Sequence, residues 1–506
     1  MKLDAAKTLD RKGWHDLANT LKYETGNLLD GAFVAARSGN RFQSVNPANG
    51  TALAWVPRSA EADVDAAVAS ARKAFKSGVW SRSAPRHRMD VMFRFTELIA
   101  QHAAELSVLD VLNVGKPVQD MINIDVPGSL LALQFFAESI DKVNGILAPT
   151  PSTDLHYIAR EPLGVVACIV PWNYPLMMAA WKIAPALATG NSVILKPAEQ
   201  SPFSANLLGK LFLEAGGPPG VFNVVHGYGE EAGKALALHM DVDKIAFTGS
   251  TEIGKLLLTY SGQSNMKRVT TECGGKSPQI VLADVPDLSR AVDVAIYGIY
   301  GNQGEVCSAG SRLLIDRRIH DDFLNLFIER SKTRYRPGDP LDPEVQLGSL
   351  VSKQQQQRVL RYIETGKTEG AVLAFGGGIP ERLSAGCYVE PTLFTGVRNT
   401  MAIAREEIFG PVASVIPVDG LDEAIEVAND SIYGLAASVW TRDLRTAHKA
   451  AQAIQSGVVW VNCFDRGDMT QPWGGYKQSG QGRDKCFETL LAHTQTKSVW
   501  IQLEDA

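Results

Sequence analysis

Apolar residues recur at helical spacing over 59–75. Val64, Ala67, Val68, Ala71 and Phe75 share a face, with Glu61, Asp63 and Asp65 in the first turn. The pattern predicts an amphipathic helix. Stretches 85–115 and 126–143 read as helical too. From about residue 163 the texture changes. Short apolar runs at 164–170, 192–195, 221–225 and 244–247 read as strands. Helical stretches near 177–189, 203–215 and 230–238 separate them, and another helix starts at Thr251. Turn pairs such as Gly190-Asn191, Lys196-Pro197 and Thr248-Gly249 punctuate the series. This alternation predicts parallel βαβ units around a buried sheet. A second α/β series begins near Ile280, with strands at 313–316, 371–375 and 411–417 and helices from His320 and at 421–429. The alternating segment 494–503 reads as an edge strand.

A chain of 506 residues exceeds one hydrophobic core, so two or three domains are expected. With 45% hydrophobic and 21% charged residues, the composition is that of a globular protein. A net charge of −5 without long like-charge runs argues against a nucleic-acid partner. The apolar runs fall far below the roughly 20 residues that span a bilayer. The charged segment 1–15 lacks a secretory h-region. Six scattered cysteines make neither a disulfide framework nor a zinc pattern. A cytoplasmic protein with reduced thiols and no metal is expected.

Four segments carry candidate chemistry. The loop 302–312 is polar and glycine-containing, and it exposes Cys307 between a helix and a strand. A thiol of pKa ~8.5 there needs a nearby positive field to become a nucleophile. The loop alone leaves catalysis and simple packing both open. Glu272 precedes Cys273, Gly274 and Gly275, where the backbone can approach a ligand closely. A solvated turn glutamate is the plainer reading. Pro171-Trp172-Asn173-Tyr174-Pro175 follows a strand, where α/β proteins bind ligands, and the Asn173 amide could serve an oxyanion or merely cap a turn. Gly249 and Ser250 open a helix that suits a phosphate, although the full Gly-x-Gly-x-x-Gly spacing is missing.

Taken together, these segments resemble the aldehyde dehydrogenase superfamily over almost the whole chain. Lys196-Pro-Ala-Glu199, Glu406-Glu407-Ile-Phe409-Gly-Pro411 and Pro472-Trp-Gly-Gly-Tyr-Lys-Gln-Ser-Gly480 add to the match. The resemblance implies an α/β fold with a Rossmann-type cofactor domain (1–143 and 162–275), an α/β catalytic domain (276–486) and a small bridging β-sheet (144–161 and 487–506). It implies that Cys307 forms a thioester, that Asn173 and the Cys307 N–H hold the oxyanion, and that Glu272 is the deacylating base. Lys182 and Asp484 match proton-relay positions. Trp172, Gly249 and Ser250 would meet a pyrophosphate, Lys196 and Glu199 the adenosine ribose, and Glu407 with Phe409 the nicotinamide ribose. The Glu199 carboxylate suits ribose hydroxyls and repels a 2′-phosphate, so NAD is the expected cofactor, with slow NADP use open.

The segments 124–128, 465–470 and 482–485 are similar to ω-aminoaldehyde dehydrogenases of putrescine and arginine catabolism, including the γ-glutamyl-γ-aminobutyraldehyde and 4-guanidinobutyraldehyde enzymes. Tyr174, Met178, Trp181 and Trp473 would line the channel. Asp125, Asp465 and Asp468 would stand nearer its mouth and hold a cationic tail, with cation–π contacts worth about 2 kcal/mol when desolvated. Arg466 stands against this, because it could neutralise an aspartate. An aromatic tunnel for neutral aldehydes is the alternative. An acylating enzyme is disfavoured by Glu272, and a non-catalytic dinucleotide binder by the joint presence of Cys307, Asn173 and Glu272. The edge strand suggests a homodimer or homotetramer.

Overall fold

The computed structural model describes residues 1–503. The 59–75 pattern folds as the helix Glu61–Ser77, which buries Val64, Ala67, Val68 and Ala71 and ends at Gly78 with φ 81°. The predicted run 85–115 divides at His102 into Pro85–Gln101 and Ala103–Val114.

Five parallel strands run side by side in the order Phe222–Val224, Ser192–Lys196, Val165–Ile169, Lys244–Thr248 and Arg268–Glu272. The strand earliest in sequence lies in the middle, so the connections wind outward in both directions. That order creates a topological switch point between Val165–Ile169 and Lys244–Thr248, where a crevice opens beyond the carboxyl ends. The hairpin Asn27–Leu29 with Ala32–Val34 closes one edge of this sheet. Gly480–Gln481 closes the other. This last strand falls by sequence within the segment expected as the 276–486 domain, yet it pairs with Thr271 and Glu272. A Cβ on Gly480 would lie 2.1 Å from the Thr271 carbonyl, so only glycine allows the approach.

The second sheet contains Arg312–Asp316 and Pro278–Val281 at its centre, both parallel to Val412–Val418 and Ala436–Trp440. Only residues 273–277 join Arg268–Glu272 of the first sheet to Pro278–Val281 of the second. Glu272 therefore stands at the junction of the two sheets. Asp154–Pro162, Ile146–Ala148 and Thr494–Gln502 form a separate antiparallel sheet. The expected bridging segment 487–506 includes residues 504–506, which lie outside the described residues. Among those described, no helix is long and apolar enough to cross a membrane.

Polar composition hid several elements. Lys353–Thr368 opens with a glutamine run and buries only Gln356, Val359, Ile363 and Gly366. Arg268–Glu272 reads as polar because its first three residues are not buried.

Candidate active site

The chain leaves Val165–Ile169 through Trp172 and Asn173 and turns into the helix Pro175–Ala188. Asn173 is buried. Its side-chain amide donates to the Glu305 carbonyl at 2.8 Å. Its own carbonyl accepts from Lys116 Nζ at 3.1 Å and from Asn302 Nδ2 at 3.0 Å. Asn173 is thus tied at both ends to the loop that carries Cys307. That loop leaves the helix Leu288–Tyr300 through Asn302 and Gln303, whose φ values are 46° and 58°. Two consecutive left-handed non-glycine residues are uncommon. They keep 302–305 buried while Val306 and Cys307 come to the wall of a cavity of about 720 Å³.

Asn173, Glu272, Cys307, Glu407 and Asp484 all line this one cavity. Burial pushes the Cys307 thiol well above its ordinary range, and the carboxylates of Glu407, Glu272 and Asp465 push it further. The resting thiol is therefore protonated, and a positive charge beside it would favour the thiolate. Glu272 is 4% exposed, and neither of its oxygens has a hydrogen-bond partner among the described residues. Burial raises its carboxyl well above the usual range, and the Asp484 charge adds to this. Lys182 and Arg483 oppose it. Lys182 itself is buried and donates to both Asp484 oxygens, at 2.8 and 2.6 Å.

At the cofactor end, Trp172, Gly249 and Ser250 line the cavity with Phe409 and Glu407. Ser250 caps the helix Thr251–Gln263, and the nearby Thr248 hydroxyl is buried without a hydrogen-bond partner among the described residues. This helix N-terminus with a free hydroxyl fits a dinucleotide pyrophosphate. Phe409 meets Trp172 edge-on at 5.2 Å. Its strained φ of 59° is held by Gln355, whose amide donates to its carbonyl at 2.6 Å. Glu407 accepts from Gly275 N at 3.2 Å, and burial pushes its carboxyl up to about 7. A Cβ on Gly274 would lie 2.0 Å from the Glu407 carboxylate, so a side chain there would displace that group. Lys196 and Glu199 stand at the end of the neighbouring strand, beyond the enclosed cavity, which reaches only as far as Gln200.

At the substrate end, Tyr174, Met178, Trp181, Trp473 and Asp465 line the same cavity. Two of the expected mouth carboxylates are elsewhere. Asp125 is fully buried behind the site, 2.6 Å from the equally buried Lys116 Nζ. A desolvated ammonium holds it inward, and that ammonium also sits 3.8 Å from the centre of the Tyr174 ring. Asp468 is exposed outside the cavity, where it accepts from Thr470 N at 2.8 Å and from the Thr470 hydroxyl. This local turn ties it down. The aromatic faces meant for a cationic tail are already occupied. Lys485 Nζ lies 5.5 Å from the Trp181 ring centre and 5.8 Å from that of Trp473. Gly467, also on the cavity wall, leaves little open space, because Gln471 lies where a Cβ would stand.

Sequence reasoning missed Lys116, Asn302 and Lys485. Lys485 falls in the 482–485 segment, whose letters alone give it no role. Nothing in the sequence pairs Lys116 with Asp125 or Asn302 with Asn173, because these contacts join separate elements.

The aldehyde dehydrogenase family profile matches residues 33–499. The chain is 46% identical over 491 residues to the NADP/NAD-dependent aldehyde dehydrogenase PuuC of Escherichia coli, covering 97% of this chain and 98% of that one. An indole-3-acetaldehyde dehydrogenase solved with NAD+ superposes with a TM-score of 0.96 at 53% identity, covering 98% of this chain and all of that one. A γ-glutamyl-γ-aminobutyraldehyde dehydrogenase from Burkholderia cenocepacia superposes at 0.95 with 51% identity and the same coverage. With a thiol, a buried carboxyl and an anchored amide on one cavity that also fits a dinucleotide, the chain belongs to the aldehyde dehydrogenase family and is an NAD(P)-dependent oxidoreductase acting on aldehydes.

Proposed function

We propose that this enzyme oxidises amine-bearing aldehydes to free acids through a thioester on Cys307. The observation that carries the chemistry is the shared cavity wall of Cys307, Asn173 and Glu272. NAD, when bound, supplies the hydride acceptor. Cys307 loses its proton to solvent through the open cavity, its Sγ adds as thiolate to the aldehyde carbon, and the oxygen takes up the charge. The Asn173 amide and the Cys307 N–H are the donors for it. Such a donor lowers the barrier by about 3–4 kcal/mol. Loss of hydride leaves the carbon bound to sulfur as a thioester. Glu272 then takes a proton from the water that attacks it, and Cys307 leaves as thiolate. Lys182 and Asp484 set the field around Glu272. Lys196 and Glu199 would hold the adenosine ribose, and Glu407 with Phe409 the other ribose.

For the substrate tail, Asp465 supports the amine. Its carboxylate lines the channel, and its charge is felt by both Cys307 and Tyr174. The Burkholderia cenocepacia structure, whose named substrate carries a nitrogen-bearing tail, supports the same reading. A second reading, neutral aldehydes, is favoured by Lys485 covering the two indole faces. Steady-state kcat/KM for acetaldehyde, an aromatic aldehyde, 3-aminopropanal and 4-guanidinobutanal, with NAD and with NADP, decides between them. A clear preference for the neutral aldehydes defeats the amine reading. The exposed edge residues Trp500 and Ile501 of Thr494–Gln502 support assembly into a homodimer or homotetramer.

A further inference from the structure

Lys276 is 2% exposed, and its Nζ has neither a hydrogen-bond nor an ion-pair partner among the described residues. An ammonium taken out of water without a partner is unfavourable and needs a reason. Arg312 makes its position harder still. That guanidinium is also buried, and it donates only to neutral acceptors. They are the Lys276 carbonyl at 2.9 Å, Asn399 Oδ1 at 3.0 Å and the carbonyls of Val427 and Ala428, each at 2.9 Å. Two buried cations thus share one corner of the fold with no anion in direct contact.

Two carboxylates act on Lys276 from a distance, Glu407 and Glu406. Glu406 is exposed and accepts from the Tyr362 hydroxyl at 2.6 Å. Glu407 faces the cavity, and the segment that carries Lys276 is folded against it. Gly275 N donates to Glu407 Oε1 at 3.2 Å, the one hydrogen bond to that carboxylate among the described residues. The other titratable groups around it are Arg358, which donates to the Glu407 main-chain carbonyl at 2.8 Å, Tyr433, Cys273 and the Cys307 thiol. Burial pushes the Glu407 carboxyl up to about 7, and the Gly275 N–H, Lys276 and Arg358 oppose it. Burial pulls Lys276 down to about 7, Arg312 adds to this, and Glu407 opposes it. Each of the two charges therefore eases the ionisation of the other.

Keeping them apart suits a carboxylate that must bind something else. Lys182 occupies both oxygens of Asp484. Lys276 favours the ionised form of Glu407 through space and leaves its lone pairs free for two hydroxyls.

We infer that Lys276 is a positioning residue for cofactor binding, whose buried charge holds the Glu407 carboxylate ready for the hydroxyls of the nicotinamide ribose. This rests on the reading above that Glu407 grips that ribose, and it extends the grip to a residue outside the cavity wall.

Titration calorimetry of NAD on the whole enzyme, without aldehyde, reads binding from about pH 6 to about pH 9. Only the ionised carboxylate accepts from both hydroxyls, so wild-type affinity should rise with pH through about 7. Lys276→Met removes a charge that lowers the Glu407 carboxyl. The rise should move up by about one pH unit, which weakens binding on its acid side about tenfold. At the alkaline end the two enzymes should converge. Lys276→Arg keeps the charge and should keep the wild-type profile. A Lys276→Met enzyme weakened equally at every pH has lost only structure, and that overturns the inference. So does a rise that stays where it was. If Lys276→Met does not fold, Lys276→Gln removes the same charge and is read the same way. Glu407→Gln should bind NAD weakly and show no rise. If it binds as the wild type does, the ribose reading fails, whatever Lys276 does.

Discussion

Lys182 grips both oxygens of Asp484, at 2.8 and 2.6 Å, on a cavity shared with Glu272, whose oxygens have no hydrogen-bond partner among the described residues. The pair sets how hard it is for Glu272 to ionise, since Asp484 raises its carboxyl and Lys182 lowers it. A base acts deprotonated, so a raised pKa confines deacylation to higher pH. Asp484→Asn removes the charge that raises Glu272 and leaves the lysine that lowers it. The acid limb of kcat should therefore move to lower pH. A limb that stays or moves upward, with deacylation rate-limiting, contradicts this placement.

The thioester route separates two steps. Cys307→Ala should bind NAD and produce no NADH. Glu272→Gln should release about one NADH per site in a burst and then turn over slowly. Rapid-mixing absorbance at the NADH band reads both. Steady NADH production by the alanine variant eliminates the covalent mechanism. A Glu272→Gln enzyme with unchanged kcat removes Glu272 from deacylation.

Asn173 should matter through its amide and through its anchors. Asn173→Ala is expected to lower kcat by about 10²–10³. Lys116→Met removes one of the two donors to the Asn173 carbonyl and strands Asp125. Breaking a buried pair usually costs about 3–5 kcal/mol. Burial already pushes Asp125 up to about 7, so it can take a proton instead, and the low end, about 3 kcal/mol, applies. The thermal midpoint should fall, and the double variant Lys116→Met/Asp125→Leu should recover part of the loss. Calorimetry that finds the double variant no better than the single one counts against the pair.

Glu199 is half-buried at the end of Ser192–Lys196, with Gln200 donating to it at 3.3 Å. Partial exposure weakens its repulsion of a 2′-phosphate below the ~4 kcal/mol of a close pair at an effective dielectric of 20. Glu199→Gln should raise the NADP-to-NAD ratio of kcat/KM by about tenfold, a charge effect of roughly 1.4 kcal/mol. An unchanged ratio would remove Glu199 from cofactor choice.

Much of the fold was legible because its signals are local. The apolar runs at 164–170, 192–195 and 244–247 are buried strands with buried neighbours on both faces, and such strands read as continuous hydrophobic segments. Lys353–Thr368 and Arg268–Glu272 were not legible, since polar residues cover most of their length. Glu272 and Cys307 stood out through the residues around them, and family motifs supplied their suggested roles. The aspartates show the limit. Asp125, Asp465 and Asp468 are equivalent as letters, yet one is buried on a lysine, one lines the channel and one caps a turn.

By itself, the sequence determined the α/β order, the family and the residue types offered for chemistry, because periodicity and motif spacing act over a few neighbours. Only the tertiary structure decided which charges meet. Lys116 with Asp125 spans nine positions, Lys182 with Asp484 spans 302, and Lys485 reaches Trp181 from another element altogether. Those contacts arise where separate strands and helices converge on one cavity, and burial there sets whether a charged group is paired, silenced or left waiting for a substrate.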